Sequence, residues 1–190
     1  MEDTVYLIPG RGNTLQDIGH FLLSLDREVC GRELLPPFSG LSFSRQLHII
    51  QQDLGSFFWH ATARLIGHSY GAYLLLHALS ELEPFPGRIL LFSPVLGPAI
   101  DSQRLFISRP PRADKLLTLA KTGSFPSPQY LEIHTGEEDK GCSPGLAQEF
   151  ADLISSAEVF IIPNQGHNLP SPYLQRTISS FCLSSSKNLQ

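Results

Sequence analysis

Basic side chains are in short supply. The 190 residues include 14 Lys and Arg against 18 Asp and Glu, which gives a formal net charge of -4. Because proteins that bind nucleic acids usually present a basic face to the phosphates, the sequence predicts no nucleic-acid partner. The rest of the composition, 42% hydrophobic and 17% charged residues, is typical of a packed globular chain rather than a disordered one.

The sequence also lacks a long apolar run. None approaches the ~20 residues that a helix needs to cross a bilayer, so we expect no membrane span. The first four residues, MEDT, are acidic and lead into a short apolar stretch. A secretory signal would begin with basic residues and continue into a longer apolar stretch. These absences predict a cytoplasmic location.

Cysteine and metal-binding patterns are sparse as well. The three cysteines, Cys30, Cys142 and Cys182, are odd in number and widely spaced, which argues against a disulfide framework and against a zinc site. No two histidines stand four residues apart beside an acidic residue, as they would in a helical metal site. We therefore expect a reducing environment, no bound metal and no cofactor.

What the sequence does contain is a regular alternation of short apolar runs and segments with helical periodicity. This alternation predicts an α/β protein with an open, mostly parallel twisted sheet of about six strands and helices on both faces, in three αβα layers. The expected strands are residues 4–8, 31–35, 64–66, 89–92, 130–134 and 159–162. The intervening helices include one capped by Asn13 or Thr14 and one capped by Ser44.

The domain organisation follows from the same pattern. Residues 1–183 form one predicted domain, and residues 184–190 form a polar tail. Residues 94–128 differ from the rest, because they contain six prolines and several basic residues with little periodicity. We interpret residues 94–128 as a short cap or insertion over one edge of the sheet.

A serine between two glycines marks the junction of a buried strand and a buried helix. The pentapeptide GHSYG runs from Gly67 to Gly71, and Ser69 is its central residue. A nucleophilic serine in an α/β sheet stands on such a strained strand-to-helix turn, above the carboxyl edge of the strands. The helix N-terminus behind it offers backbone N–H groups to a developing oxyanion. The alternative is a serine that merely caps the helix.

A serine nucleophile needs a base and an acid to orient that base. Of the seven histidines, His167 follows the last predicted strand and so belongs to the same sheet edge as Ser69. His68 neighbours the serine in sequence, but an adjacent residue in such a turn points elsewhere. Three acidic residues, Glu137, Glu138 and Asp139, follow the strand before it. One of the three is expected to be the acid that orients the imidazole, and the alternative is a solvated acidic turn.

Taken together, these motifs resemble those of the α/β-hydrolase family. The chain order Ser69, Asp139, His167 is the family's order, and "GHSYG", "HTGEEDKGCSP", "NQGHNLP" and "LIPGRGNT" are similar to its nucleophile, acid, histidine and oxyanion loops. The resemblance spans residues 4 to about 181 and implies a reduced form of the fold with little or no cap.

The resemblance also implies roles for other residues. The backbone amides of Arg11 and Tyr70 would form the oxyanion hole, although Pro9–Gly10 stands where many members have His–Gly. Gly10 and Leu96 are candidate substrate-binding residues. The basic residues of segment 94–128, together with Arg11, raise the hypothesis of a substrate with an anionic group.

The function that we expect is a serine hydrolase that cleaves a carboxylic ester or thioester of a small molecule through an acyl-enzyme. The alternative is a non-catalytic protein of the same fold that binds a small ligand or a protein partner. A nucleotide-binding fold is disfavoured, because residues 9–14 lack both the Gly-x-Gly-x-x-Gly spacing and a P-loop lysine.

Overall fold

The computed structural model describes residues 3–101 and 106–183. The predicted tail, residues 184–190, and residues 102–105 of the predicted insertion lie outside the described residues. The strands are β1 (Thr4–Ile8), β2 (Glu28–Gly31), β3 (Arg64–His68), β4 (Arg88–Phe92), β5 (Ala99–Asp101), β6 (Phe106–Ser108), β7 (Tyr130–Gly136) and β8 (Ala157–Ile162). The α-helices are α1 (Gln16–Ser24), α2 (Phe43–Asp53), α3 (Tyr70–Leu79), α4 (Lys115–Lys121), α5 (Pro144–Asp152) and α6 (Ser171–Leu183).

Six strands form one parallel sheet in the order β2-β1-β3-β4-β7-β8. Because the strands are parallel, the loops that leave β1, β3, β4, β7 and β8 begin at the same edge, where ligands bind in open α/β sheets. The structure therefore confirms the predicted fold class and brings the predicted serine, acid and histidine loops to one edge.

Alternate side chains along each central strand pack on opposite faces of the sheet, which creates two hydrophobic cores. In β3, Leu65 belongs to the core beneath α2, α3, α4 and α5, whereas Ile66 belongs to the core beneath α1 and α6. Helix α3 is apolar nearly all round, and its residues from Gly71 to Leu79 are buried. Both faces are therefore covered by helices, as parallel sheets require.

Some predicted boundaries are wrong. The second strand was expected at residues 31–35, but it is β2, Glu28–Gly31, an edge strand whose residues are only partly buried. Its weak apolar pattern follows from that exposure. Helix α2 is capped by Ser42, whose hydroxyl accepts from the Arg45 amide, rather than by Ser44. Helix α1 begins at Gln16, whose amide donates to the hydroxyl of Thr14, one of the two predicted caps, at 3.2 Å, although the residue at the N-cap position is Leu15.

The predicted insertion, residues 94–128, contains the antiparallel pair β5–β6 and helix α4. Leu116 and Ala120 of α4 are buried in the larger core, so this part of the segment packs firmly on the domain. None of the helices in the described part of the chain is long and apolar enough to cross a membrane.

Candidate active site

Ser69 lies on a strained turn between β3 and α3. Its backbone has φ 52° and ψ -119°, a conformation that residues with side chains rarely adopt. Neighbouring hydrogen bonds maintain this geometry: the Ser69 amide donates to the Phe92 carbonyl at 2.9 Å, and the Val95 amide donates to the Ser69 carbonyl at 3.2 Å. The surrounding structure thus holds the serine in a conformation that an isolated turn would leave.

The two glycines of the turn are required by close packing. A Cβ on Gly71 would lie 2.2 Å from the Pro9 carbonyl oxygen and 2.3 Å from that of Ile8. A Cβ on Gly67 would lie 2.8 Å from the Cα of Ala72. Any larger residue would push α3 away from the strands, so the Gly-x-Ser-x-Gly pattern reflects the tight passage of the chain at this point.

His167 connects the serine to the acid. Its Nε2 lies 3.0 Å from the Ser69 Oγ, and its Nδ1 lies 3.0 Å from the Asp139 Oδ2. An ionised carboxylate can only accept a hydrogen bond, so the Nδ1 carries the proton and the Nε2 is free to accept the proton of the serine. The His167 side chain remains 35% exposed, whereas that of Asp139 is fully buried.

The buried Asp139 is held in its ionised form. Its Oδ1 accepts from the amides of Gly141 at 2.8 Å and Cys142 at 2.9 Å, and its Oδ2 lies 3.4 Å from the Thr135 hydroxyl. Burial by itself raises the pKa of Asp139, but the hydrogen bonds from His167 and from these two amides outweigh it and hold the pKa below its ordinary value. The alternative acid, Glu138, is exposed.

Two further contacts fix the histidine loop. Gly136, at the end of β7, approaches it so closely that a Cβ would lie 2.2 Å from the Gln165 carbonyl oxygen, and the Glu138 amide donates to that oxygen at 2.8 Å. Ser93, which is fully buried, donates from its hydroxyl to the His167 carbonyl at 2.7 Å. The sequence analysis did not identify Ser93. The feature that could have indicated it is a polar residue directly after the buried strand β4.

The amides predicted to form the oxyanion hole are those of Arg11 and Tyr70. Tyr70 is the first residue of α3, so its N–H lacks an intrahelical acceptor. Within residues 3–101 and 106–183, neither amide donates to a backbone carbonyl. The side chains of the two residues also meet, because the Arg11 guanidinium carbon lies 4.2 Å from the centre of the Tyr70 ring.

Two cavities flank this arrangement. The larger, about 390 Å³, lies between α1 and α6, with His68 and His167 in its wall and Leu7 and Phe92 in its apolar part. The smaller, about 230 Å³, is lined by Arg11 and Tyr70 together with residues around the start of α2. We call it the Arg11 cavity.

Neither of the predicted substrate-binding residues, Gly10 and Leu96, lines either of these two cavities. A Cβ on Gly10 would lie 3.2 Å from the His68 Nδ1, so Gly10 leaves room for that ring. Leu96 is buried and lines a third cavity, beside α4 and α5, of about 240 Å³. The structure does not bring Leu96 into the wall of the Arg11 cavity.

The His68 ring packs beside the ring of His167, the predicted base. Its ring centre lies 5.7 Å from that of His167. Burial and, to a smaller extent, the neighbouring His167 lower the pKa of His68 to about 4, although Asp139 opposes this shift. His68 is therefore neutral near pH 7 and places no positive charge beside His167.

A possible set of metal ligands overlaps the same residues. Ligand atoms of Asp139, Cys142 and His167 all lie within 4.8 Å of one another. Burial raises the pKa of the Cys142 thiol, and two of the three residues already share the hydrogen bond that orients the imidazole. A metal here would have to displace that hydrogen bond.

The sheet order, the strained serine turn and the loops at one sheet edge define the α/β-hydrolase fold. Comparison with solved structures shows the same fold. A monoacylglycerol lipase from Paleococcus ferrophilus has a TM-score of 0.67 at 14% identity, with 94% of this chain and 93% of that one covered. Esterase PE8 has a TM-score of 0.64 at 16% identity, with 95% and 93% covered.

A thioesterase domain from the curacin biosynthetic pathway has a TM-score of 0.66 at 17% identity, with 95% of this chain and 90% of that one covered. The sequence itself matches no protein-family model and no curated protein sequence. At these identities the similarity extends only to the fold, and the chemistry depends on this chain's own residues.

Proposed function

We propose that the protein is a serine hydrolase that cleaves a carboxylic ester or thioester of a small molecule through an acyl-enzyme intermediate. The observation that carries the proposal is the continuous contact from the Ser69 Oγ to the His167 Nε2 and from the His167 Nδ1 to Asp139. Strained backbone at Ser69 supports it, because strain clusters at residues whose position matters for chemistry.

In the proposed reaction, Ser69 attacks the substrate carbonyl carbon while its proton passes to the His167 Nε2. Asp139 stabilises the imidazolium that forms. The carbonyl oxygen becomes negative and accepts hydrogen bonds from the amides of Arg11 and Tyr70. The carbon–leaving-group bond then breaks, and the leaving alcohol or thiol takes the proton from His167.

The second half of the reaction repeats these steps with water. His167 removes a proton from a water molecule as its oxygen attacks the acyl carbon. The ester bond to Ser69 breaks, the proton returns to the Ser69 oxygen, and the free acid departs. The similarity to an esterase, a lipase and a thioesterase supports the choice of ester and thioester substrates.

A fluorophosphonate probe tests the proposal, because it modifies only an activated serine. We expect labelling of the parent protein at Ser69, none in the Ser69→Ala variant, and a fall in p-nitrophenyl acetate turnover on the order of 10⁴–10⁶. Ser56→Ala is the matched control, because Ser56 is exposed in the π-helix after α2, and it should react like the parent.

The result also separates the proposal from a non-catalytic role. A parent protein that is folded but neither takes up the probe nor cleaves the ester would favour a ligand-binding protein of this fold. Equal turnover in the parent and Ser69→Ala would contradict the assignment of the nucleophile.

A further inference from the structure

The basic residues around the candidate active site differ in whether a carboxylate contacts them. Those that the structure describes in the segment that we interpreted as an insertion are paired: Arg112 and Lys115 both contact Glu81, at 2.5 and 2.7 Å, and Lys121 contacts Glu149 at 2.8 Å. Arg109 pairs with Asp114. Each of these cations already has a carboxylate partner within the chain, which Arg112 and Lys115 share, and this weighs against a role for them in binding an anionic substrate.

Arg11 is different. It makes no ion pair with any residue of the described ranges, and its side chain is exposed. The guanidinium carbon instead lies over the Tyr70 ring, 4.2 Å from its centre. Stacking of this kind limits the directions in which the side chain can point while its N–H donors stay available. The cation is thus positioned without being neutralised.

The position of the Arg11 side chain relative to the proposed oxyanion hole determines which part of a substrate it can contact. Arg11 and Tyr70 offer their backbone amides to the proposed oxyanion hole, and the side chains of the same two residues line the Arg11 cavity. A substrate whose carbonyl oxygen sits on those amides therefore has the Arg11 cavity next to its carbonyl carbon.

The lining of the Arg11 cavity suits a short chain that ends in a polar group. Leu34 and Phe43 contribute apolar surface, whereas Ser39 and the buried Gln46 contribute polar atoms. Its volume of about 230 Å³ lies below the range of about 300–1,000 Å³ that is typical of pockets for drug-sized ligands. A short acyl chain with a terminal carboxylate suits a cavity of this size.

We infer that the acyl part of the substrate carries a second carboxylate, which the Arg11 guanidinium binds, so that the substrate is a monoester or monothioester of a short dicarboxylic acid. This inference rests on the proposed function and adds the substrate class to it. Guanidinium is the cation that matches a carboxylate with two parallel hydrogen bonds. Arg11 acts here as a specificity-determining residue.

The test compares two substrates of similar size, p-nitrophenyl hemiglutarate and the neutral p-nitrophenyl pentanoate. The measured quantity is the ratio of their kcat/KM values. We expect the parent protein to prefer the hemiglutarate and Arg11→Gln to lower the ratio about tenfold, as expected for loss of a hydrogen bond to a charged group. Arg11→Lys keeps the charge but loses the planar fork, so its ratio should lie between the two.

Arg109→Gln is the matched control, because Arg109 is an exposed arginine that already pairs with Asp114. Its ratio should equal that of the parent. A ratio that is the same in the parent, Arg11→Gln and Arg109→Gln would overturn the inference while leaving the serine hydrolase intact. Failure of both substrates together with absence of fluorophosphonate labelling would instead overturn the proposed function on which it rests.

Discussion

His77 offers the sharpest test of the physical reasoning. It lies on α3 with no solvent exposure, and its ring meets those of Tyr73 at 4.3 Å and Phe43 at 5.3 Å between centres. Among the described residues, neither ring nitrogen has a hydrogen-bond partner. Burial lowers the pKa of His77 to about 3, and the nearby Lys115 and Arg112 add to this shift against the opposing Glu81.

The pKa shift makes stability depend on pH. In the unfolded chain His77 binds a proton below its ordinary pKa of about 6.5, whereas in the folded protein it stays neutral until about pH 3. Between these values the unfolded state binds more protons, so the free energy of unfolding falls as the pH falls. At pH 5.0 the loss from this one group is about 2 kcal/mol, and at pH 7.5 it is negligible, because His77 is then neutral in both states.

We expect His77→Leu to remove this loss, since leucine is of similar size and does not titrate. The variant's free energy of unfolding, relative to that of the parent, should therefore rise by about 2 kcal/mol between pH 7.5 and pH 5.0. Urea unfolding at both pH values measures this difference. The comparison of two pH values cancels the pH-independent costs of losing the ring contacts and the gains from removing unpaired nitrogens.

His48→Leu is the control for this experiment, because His48 is exposed on α2. Its stability relative to the parent should change little between the two pH values. A His77→Leu variant whose advantage is the same at pH 7.5 and pH 5.0 would refute the reasoning, since it would mean that His77 titrates alike in the folded and unfolded states.

The remaining predictions concern the candidate active site. Asp139→Asn should lower kcat for an activated ester on the order of 10⁴-fold, and a pH–rate profile that shows normal activity would exclude Asp139 as the orienting acid. Ser93→Ala should lower kcat about tenfold with KM little changed, because the His167 carbonyl loses its anchor and the imidazole loses its position; a lower melting temperature with kcat unchanged would indicate a structural role instead. Gly71→Ala should destabilise the fold by about 3 kcal/mol in urea, since its Cβ would overlap the Pro9 carbonyl, whereas Gly145→Ala in α5, whose Cβ would meet only the Ser143 Oγ at 3.7 Å, should be tolerated.

The sheet and the three central site residues could be predicted because each leaves a local pattern. Ser69 stands between a strand and an apolar helix, and His167 and Asp139 follow strands directly. In a parallel sheet the carboxyl ends of all strands lie at the same edge, so residues that follow different strands come together there. The choice of Asp139 over Glu138 came from the resemblance, because Gly136 and Asp139 match the Gly-x-x-Asp pattern of the family's acid loop, and the structure shows Gly136 to be tightly packed.

Other features have no local pattern. The edge strand β2 is only half-buried, so its residues lack the apolar run that reveals a central strand. A histidine in a helical segment is usually exposed or hydrogen-bonded, but His77 is buried without a hydrogen-bond partner among the described residues. The aromatic surroundings of the His77 ring are created by Phe43 of α2 and Tyr73 of α3. They depend on how these two helices pack, which the sequence pattern of either helix does not show.

The pairing of basic residues with carboxylates also leaves no local pattern in the sequence. This pairing bears directly on the choice of substrate. The sequence displays Arg11, Arg112 and Lys115 as equivalent cations, and an anion site built from all of them would be a reasonable expectation. Glu81 lies 31 and 34 residues from the two cations that it contacts, so no short stretch of sequence shows the pairing. A carboxylate that already contacts Arg112 and Lys115 competes with an anionic substrate for both. Arg11 keeps its charge available because the group that positions it, the Tyr70 ring, is itself neutral. Its selectivity for a carboxylate therefore depends on an aromatic contact rather than on the number of basic residues nearby.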